Sequence, residues 1–202
     1  LWDNDSLGNL KLLKVPTLFV LVNFEIDLKN FDHDKIKFEV EKLIGPDILL
    51  WSTSFFIKDP GSKSFVSWHQ DSTYWGLKPL EIVTAWLAFT PSKTSNGCMQ
   101  VIPGSHLRGQ SEHKDTFDDN NLLSRGQRIE FDIGDEKVVD LKLQAGEMSL
   151  HNVRIFHGSK SNVSNSVRIG FAMRYIPAHT IQEGGRTFAE LVRGEAVSYT
   201  HL

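Results

Sequence analysis

Cysteine is almost absent from this chain, because Cys98 is the only one among 202 residues. A single cysteine excludes an intrachain disulfide and a cysteine-rich zinc site, and it suits a reducing compartment. Long apolar runs are absent as well. The longest, residues 18–24, is interrupted by Asn23 and has the length of a strand, which is too short to span a bilayer. We therefore expect a cytoplasmic protein that does not bind a membrane.

The chain also lacks a strong charge of either sign. Its 22 Lys and Arg residues and 25 Asp and Glu residues give a formal net charge of −3, without the basic footprint of nucleic-acid binding. The composition, 40% hydrophobic and 23% charged, is that of a globular protein, and the length predicts a single domain at residues 1–195. Leu1 is not a natural start and residues 196–202 continue no earlier pattern, so we interpret the N-terminus as truncated and the tail as a scar.

Few segments have the period of a helix. One helix is predicted at residues 34–44, with Asp32 or Asp34 as its cap and Gly45-Pro46 at its end. Strand-like segments, bounded by turn-forming residues, follow at 49–58, 64–71, 82–89, 98–102, 138–143, 148–151 and 167–176. Many short strands without βαβ alternation indicate an antiparallel sandwich or barrel. The polar segment 108–135 is predicted to be an insertion that is functional, a lid, or partly disordered.

A histidine and an aspartate, His69 and Asp71, stand two residues apart. Residues two apart on a strand face the same side, so these side chains project together. A second histidine from a distant strand would complete a 2-His-1-carboxylate site for non-haem iron, which leaves metal positions open for O2 and substrate-derived ligands. A hydrogen-bonded pair on a surface strand is the alternative. The flanking Trp68, Tyr74 and Trp75 are either pocket walls or core residues.

A second pattern lies near the end of the chain, where Arg168 follows His157 by eleven residues. Arg168 opens a strand whose neighbours on the same face, Gly170 and Ala172, are small, whereas the opposite face is bulky and apolar. The planar fork of arginine binds a carboxylate through two hydrogen bonds, and small neighbours leave room for the rest of a ligand. An arginine in a structural salt bridge is the alternative explanation.

The order and spacing of these motifs resemble the phytanoyl-CoA dioxygenase family. The segments that carry the resemblance are His69-Gln70-Asp71, Thr84-Ala85-Trp86, Asn96-Gly97-Cys98, Pro103-Gly104-Ser105-His106, Ala145-Gly146-Glu147, and His157-Gly158-Ser159 followed by Arg168. They fall within residues 49–177, most of the chain. The resemblance implies a double-stranded β-helix, a cupin-like jelly roll with a few flanking helices and a metal in its mouth.

The resemblance also implies roles for individual residues. These are the iron ligands His69, Asp71 and His157, the contacts of the distal 2-oxoglutarate carboxylate Arg168 and Ser159, and the pocket wall Trp86. Lys58 stands where the family often has a basic residue near the site. The expected cofactor is Fe(II), with 2-oxoglutarate and O2 as cosubstrates. The expected reaction hydroxylates an unactivated C–H bond of a small-molecule metabolite and releases succinate and CO2.

Several alternatives remain beside this prediction. His151 is six residues before His157, so on a strand it would face the same side, and it is the other candidate for the third ligand. His157 is preferred because Gly158-Ser159 and the eleven-residue spacing to Arg168 follow it. A related halogenase would carry a small residue in place of Asp71 and is disfavoured. A catalytically silent jelly-roll binding protein is expected to lack part of the triad or Arg168, and a zinc hydrolase would leave Arg168 without a role. The family acts on acyl-CoA thioesters, zwitterions, phosphonates and secondary metabolites, and the sequence favours none of them.

Overall fold

The structure, a computed structural model, describes residues 24–25, 27–28, 32–184 and 188–196. Residues 18–23 of the apolar run and residues 197–202 of the tail, with the predictions made for them, lie outside this part of the chain. Among the described residues, no helix is long and apolar enough to cross a membrane. The cytoplasmic location and the single domain over residues 1–195 stay predictions.

The predicted helix is present as α1 (His33–Ile44). The side chain of Asp32 accepts hydrogen bonds from two backbone N–H groups of the first turn, at 2.9 and 3.2 Å, so Asp32 is the cap. Gly45 ends the helix with a φ of 89°, a conformation that glycine adopts without strain. Ile36 and Val40 are buried against the neighbouring sheet, which fixes the helix on one face of it.

The rest of the described chain is built from short strands and three 3₁₀ helices. The strands are β1 (Phe24–Glu25), β2 (Ile48–Lys58), β3 (Val66–His69), β4 (Leu77–Lys78), β5 (Val83–Ala88), β6 (Met99–Val101), β7 (His113–Lys114), β8 (Arg128–Ile129), β9 (Val139–Leu141), β10 (Glu147–Asn152), β11 (His157–Ser159), β12 (Arg168–Pro177), β13 (Ile181–Gln182) and β14 (Glu190–Arg193). The 3₁₀ helices are Asp71–Thr73, Thr94–Asn96 and Ser105–Arg108.

Two antiparallel sheets form the body of the fold. The larger has six strands in the order β1-β10-β5-β12-β2-β14, and the smaller has four in the order β3-β11-β6-β9. Strands β13 and β4, and strands β7 and β8, form two further pairs. Non-consecutive strands are neighbours throughout both main sheets, as in a jelly roll. The predicted double-stranded β-helix is therefore confirmed.

Strand β5 shows that both faces of the six-stranded sheet are covered, because all six of its residues are buried. Val83, Ala85 and Leu87 pack in one hydrophobic cluster with residues of α1. Trp86 and Ala88 point the other way and pack with residues of the four-stranded sheet. Side chains on this second face meet between the two sheets, where the candidate site lies.

The strand predicted at 64–71 is shorter in the structure and ends at His69. Strand β11 begins at His157, which pairs with His69. The antiparallel pairing therefore ends there, and β11 has no residue to pair with Asp71. Asp71 instead begins the 3₁₀ helix Asp71–Thr73. The expectation that Asp71 continues the strand is wrong, although its side chain still lies beside that of His69.

The insertion at 108–135 is tied to the end of β3 by Gln70, whose side chain is fully buried. Its amide donates to the carbonyl oxygens of Gly109 and Arg154 at 2.9 and 2.8 Å, and its Oε1 accepts the N–H of Ser111 at 2.8 Å. The segment also contains the β7–β8 pair. Hydrogen bonds thus connect the insertion to the body of the fold, and the roles expected for it stay predictions.

Candidate metal and cosubstrate site

The three predicted metal ligands lie together between the two sheets. His69 ends β3, Asp71 follows it, and His157 begins β11 opposite His69. One ligand atom from each lies within 4.8 Å of the others. Oδ1 of Asp71 is 3.3 Å from Nε2 of His69 and 3.9 Å from Nε2 of His157. Ligands bonded to one ion at about 2.1 Å and at right angles lie about 3 Å apart, so these groups could hold a single ion.

Both histidines are oriented by backbone carbonyl groups. Nδ1 of His69 is 2.9 Å from the carbonyl oxygen of Ser67, and Nδ1 of His157 is 3.0 Å from that of Ile155. Because a carbonyl oxygen only accepts, each Nδ1 carries a proton, and in the neutral imidazole Nε2 presents its lone pair to the other ligands. Metal-binding histidines commonly make this outer hydrogen bond, so the donor set fits a metal.

Protonation also favours metal binding. Burial would raise the pKa of Asp71, but the neighbouring His69, His157 and Arg174 side chains hold the pKa well below its usual range. Burial, assisted by His69, lowers the pKa of His157 to about 3. At neutral pH the cluster thus offers an ionised carboxylate and an uncharged His157, the forms in which these groups bind metals. Two imidazole nitrogens and one carboxylate suit Fe(II) with positions left open.

Two buried cations, Arg168 and Lys58, face each other across the β12–β2 ladder and are 2% and 0% exposed. Nη1 of Arg168 donates to the carbonyl oxygen of Gly97 at 3.0 Å, and its Nε has no hydrogen-bond partner. Nζ of Lys58 donates to Oγ of Ser159 at 2.6 Å and to the carbonyl oxygen of Lys160. Neither cation joins a salt bridge within the described residues, so a structural salt bridge does not explain Arg168.

The charge of this pair is costly in the absence of an anion. Burial, with a further contribution from Arg168, lowers the pKa of Lys58 to about 7. Burial likewise lowers the pKa of Arg168 to about 10. A bound carboxylate would offset both the desolvation and the mutual repulsion of the two side chains. This part of the site therefore fits the carboxylate of a ligand.

Trp86 forms a wall beside Arg168, whose guanidinium carbon lies 5.3 Å from the centre of the indole ring. A Cβ atom at Gly170 would lie 1.9 Å from Cζ2 of Trp86, so only glycine lets the ring lie against β12. The space expected beside Gly170 for a ligand is thus filled by Trp86. Ala172 does line the cavity, as expected.

One cavity of about 290 Å³ includes both the metal-ligand cluster and Arg168. The insertion contributes Leu122, Leu123, Ser124 and Gln127 to its lining. Its volume is at the lower end of the range for small-molecule sites. The cavity therefore suits small ligands, and the insertion forms one of its walls.

The remaining candidates divide between the cavity and its surroundings. His151 lines the cavity with its ring centre 5.1 Å from that of His157, but it is not among the three converging ligands. Trp75 also lines the cavity. Trp68 packs in a separate hydrophobic cluster, and Tyr74 is 38% exposed. Trp75 is thus a cavity wall and Trp68 packs in the core, whereas the exposed Tyr74 has neither of the two expected roles.

Sequence reasoning missed Arg174 and Ser54, which also line the cavity. Arg174 is six residues after Arg168 and shares its face of β12, so the strand period would have found it if followed beyond Ala172. Ser54 lies on β2 among other small polar residues, and nothing in that pattern distinguishes it.

Comparison with known proteins agrees with this geometry. The family model for phytanoyl-CoA dioxygenase (PhyH) matches residues 24–170. Phytanoyl-CoA dioxygenase domain-containing protein 1 of Danio rerio is 31% identical over 133 residues, 63% of this chain and 44% of that protein. Peroxisomal phytanoyl-CoA dioxygenase of Homo sapiens is 27% identical over 168 residues, 80% of this chain and 49% of that protein. The chain thus spans about half the length of these relatives or less.

Solved structures give the same result. The apo form of ThoJ, a non-heme monooxygenase, has a TM-score of 0.72 at 36% identity and covers 81% of this chain and 59% of that one. The epimerase SnoN in complex with Fe3+, alpha ketoglutarate and nogalamycin RO has a TM-score of 0.63 at 20% identity, which shows the fold alone, with 81% and 68% covered. The expected Fe(II) and 2-oxoglutarate agree with this family and with the donor set. The chain belongs to the phytanoyl-CoA dioxygenase family.

Proposed function

We propose that the protein is an Fe(II)- and 2-oxoglutarate-dependent dioxygenase that hydroxylates an unactivated C–H bond of a small-molecule metabolite and releases succinate and CO2. One observation carries the proposal. A single cavity combines a 2-His-1-carboxylate cluster with Arg168, a buried cation that lacks an acidic partner among the described residues and lies opposite the equally buried Lys58. A cosubstrate with a keto acid at one end and a carboxylate at the other satisfies both features, and 2-oxoglutarate is such a molecule.

His69, Asp71 and His157 would hold the iron, which supplies the O2 activation that amino-acid side chains lack. The protein orients these ligands through the hydrogen bonds of the two histidines to backbone carbonyl groups. Fixed rings and an ionised Asp71 mean that little reorganisation is needed when the metal binds.

Arg168, Lys58 and Ser159 would hold the distal carboxylate of 2-oxoglutarate. Nε of Arg168 has no hydrogen-bond partner within the described residues, so the guanidinium has unused donor capacity for it. Oγ of Ser159 accepts from Lys58, which leaves its own O–H free to donate to the same carboxylate. Trp86 closes one side of this pocket and keeps water away from the buried charges.

The hydroxylation itself is tested by incubating the protein with Fe(II), 2-oxoglutarate, O2 and a panel of small metabolites, followed by mass spectrometry. The proposal predicts a product that has gained one oxygen atom derived from O2, in step with succinate. Other proteins with this fold are a carbocyclase and an epimerase, so the product must be identified as well. If succinate forms but the product has gained no oxygen, 2-oxoglutarate is still the cosubstrate. The reaction on the primary substrate is then not a hydroxylation.

A further inference from the structure

A third buried cation, Arg174, faces the same cavity. It lies on β12 six residues beyond Arg168, about 20 Å further along the strand, and is 9% exposed. Its Nη1 donates to Oγ of Ser54 at 3.0 Å, its Nε has no hydrogen-bond partner, and its guanidinium lies 5.2 Å from the ring centre of Trp75. No salt bridge found between described residues includes Arg174.

Arg174 belongs to a polar row that crosses three strands of the larger sheet. It is opposite Thr84 of β5, and Thr84 is opposite His151 of β10. His151 is 2% exposed, lines the cavity, and has an Nδ1 without a hydrogen-bond partner. Oγ1 of Thr84 is 3.5 Å from Oδ2 of Asp71, so the row borders the metal-ligand cluster on the side of Asp71. Two side chains that line the cavity, Arg174 and His151, thus each have a buried hydrogen-bonding atom without a partner.

We propose that Arg174 and His151, together with Ser54 and Trp75, bind a carboxylate of the primary substrate, and that the substrates are small carboxylic acids. This inference rests on the proposed function, which assigns the Arg168 end of the cavity to 2-oxoglutarate. The substrate carboxylate would lie at the Arg174 end, with the metal-ligand cluster beside it.

The geometry favours a carboxylate over other anions. Ser54 accepts a hydrogen bond from one arm of the Arg174 guanidinium and Trp75 lies against it, so the guanidinium is held in a fixed plane at the wall of the cavity. A planar fork of this kind matches the two oxygens of a carboxylate. A phosphate would bring a second negative charge close to Asp71 with a single arginine to balance it. The volume of about 290 Å³, shared with 2-oxoglutarate, limits the enclosed part of the substrate to a small acid.

The test measures binding of acetate, benzoate and cyclohexanecarboxylate and of their neutral amides to the full chain, by calorimetry with 2-oxoglutarate present in excess. The amides keep the shape and remove the charge. The proteins compared are the parent, Arg174→Gln, Arg174→Lys, Arg168→Gln and Arg193→Gln. Arg193 lies on β14, pairs with Glu41 and is a matched control outside the cavity.

We expect the parent to bind at least one carboxylate roughly tenfold or more tightly than its amide, as charge-assisted hydrogen bonds predict. Arg174→Gln should abolish this preference and Arg174→Lys should keep part of it, whereas Arg168→Gln and Arg193→Gln should keep it whole. Thermal unfolding of each variant confirms that it is folded.

Three results would overturn the inference. The parent could bind every carboxylate no more tightly than its amide, or Arg174→Gln could still prefer the carboxylate. Loss of this preference in Arg168→Gln would instead locate the acid at the cosubstrate end. Weaker metal binding by Arg174→Gln with the preference intact would make Arg174 a counter-charge for Asp71 and equally contradict it. Lack of succinate formation with the preference retained would count against the proposed function alone.

Discussion

Arg168 lies in the cavity close to Lys58 and has no acidic partner among the described side chains, so it is the residue that a 2-oxoglutarate carboxylate would need most. Arg168→Lys keeps the charge but loses the planar fork. We expect the apparent KM for 2-oxoglutarate to rise tenfold or more, because each charge-assisted hydrogen bond contributes roughly 1.5–3 kcal/mol. Iron affinity, measured by metal titration, should not change.

The matched control for this substitution is Arg193→Lys, at the half-buried pair with Glu41 outside the cavity. It should leave the KM for 2-oxoglutarate unchanged. If Arg168→Lys and Arg168→Ala both use 2-oxoglutarate as well as the parent does, the cosubstrate is held elsewhere, and the silent-fold and hydrolase alternatives gain support.

Lys58 should make the stability of the ligand-free protein depend on pH. Burial, with a further contribution from Arg168, lowers its pKa from 10.5 to about 7, so between these values the unfolded chain binds more protons than the folded one. Stability therefore rises with pH in this window, by at most about 1.4 kcal/mol per pH unit for one group. We expect urea unfolding from about pH 7 to about pH 8.5 to show this rise, and Lys58→Met to remove most of it.

Lys63→Met is the control for that measurement, because Lys63 is an exposed lysine a few residues beyond Lys58. It should retain the slope of the parent. Equal slopes for the parent and Lys58→Met would show that Lys58 does not titrate in this range.

At the scale of elements, the contact between β12 and β5 depends on Gly170. A side chain there would overlap Trp86, with a Cβ only 1.9 Å from Cζ2. Overpacking of this kind costs roughly 1–3 kcal/mol and would move the indole towards Arg168. We expect Gly170→Ala to lower both the melting temperature and the affinity for 2-oxoglutarate, measured by calorimetry.

Trp86→Phe in the same background removes the overlapping ring atoms and should recover part of the stability. The control Gly134→Ala, at an exposed glycine whose nearest side-chain atom would be 3.4 Å from the new Cβ, should be close to neutral. A Gly170→Ala protein with the stability and affinity of the parent would contradict this packing.

Gln70 is one of the residues that connect the insertion at 108–135 to β3 and the residues after it, and its side chain makes hydrogen bonds with the start of the insertion. Gln70→Ala would leave two partly buried carbonyl oxygens and an N–H without this partner, at a cost of roughly 1–3 kcal/mol for each group that water does not reach. We expect faster hydrogen exchange in the β7 region, measured by mass spectrometry. Gln144→Ala, at an exposed glutamine, is the control. Unchanged exchange in Gln70→Ala would mean that other contacts hold the segment.

For the whole molecule, features that depend on residues close together in the sequence could be predicted, whereas features that depend on contacts between distant residues could not. The spacing of His69 and Asp71 and the eleven-residue step from His157 to Arg168 are local, and the strand period with the family resemblance was enough to find them. Asp71 was found even though it was predicted to lie on the strand and in the structure begins the 3₁₀ helix that follows β3.

Arg174 and the insertion were harder, because their roles depend on strand register and on long-range hydrogen bonds. The proximity of Arg174 to His151 follows from the register of β12, β5 and β10. In that register Thr84 lies opposite both residues. Leu122 and Leu123 sit in a polar segment without a period, and nothing local indicates that they line the cavity. Such pairings involve residues far apart in the chain, which single-sequence patterns do not encode.

The central claim, that the three ligands and Arg168 form one Fe(II) and 2-oxoglutarate site, is tested most directly by succinate formation. The purified protein is given 2-oxoglutarate and the metabolite panel, with and without Fe(II) and O2, beside Asp71→Ala and Arg168→Ala. We predict succinate that requires both Fe(II) and O2, is absent in Asp71→Ala, and in Arg168→Ala is recovered only at much higher 2-oxoglutarate. The account would be contradicted by a parent that forms no succinate, or by Asp71→Ala forming as much as the parent.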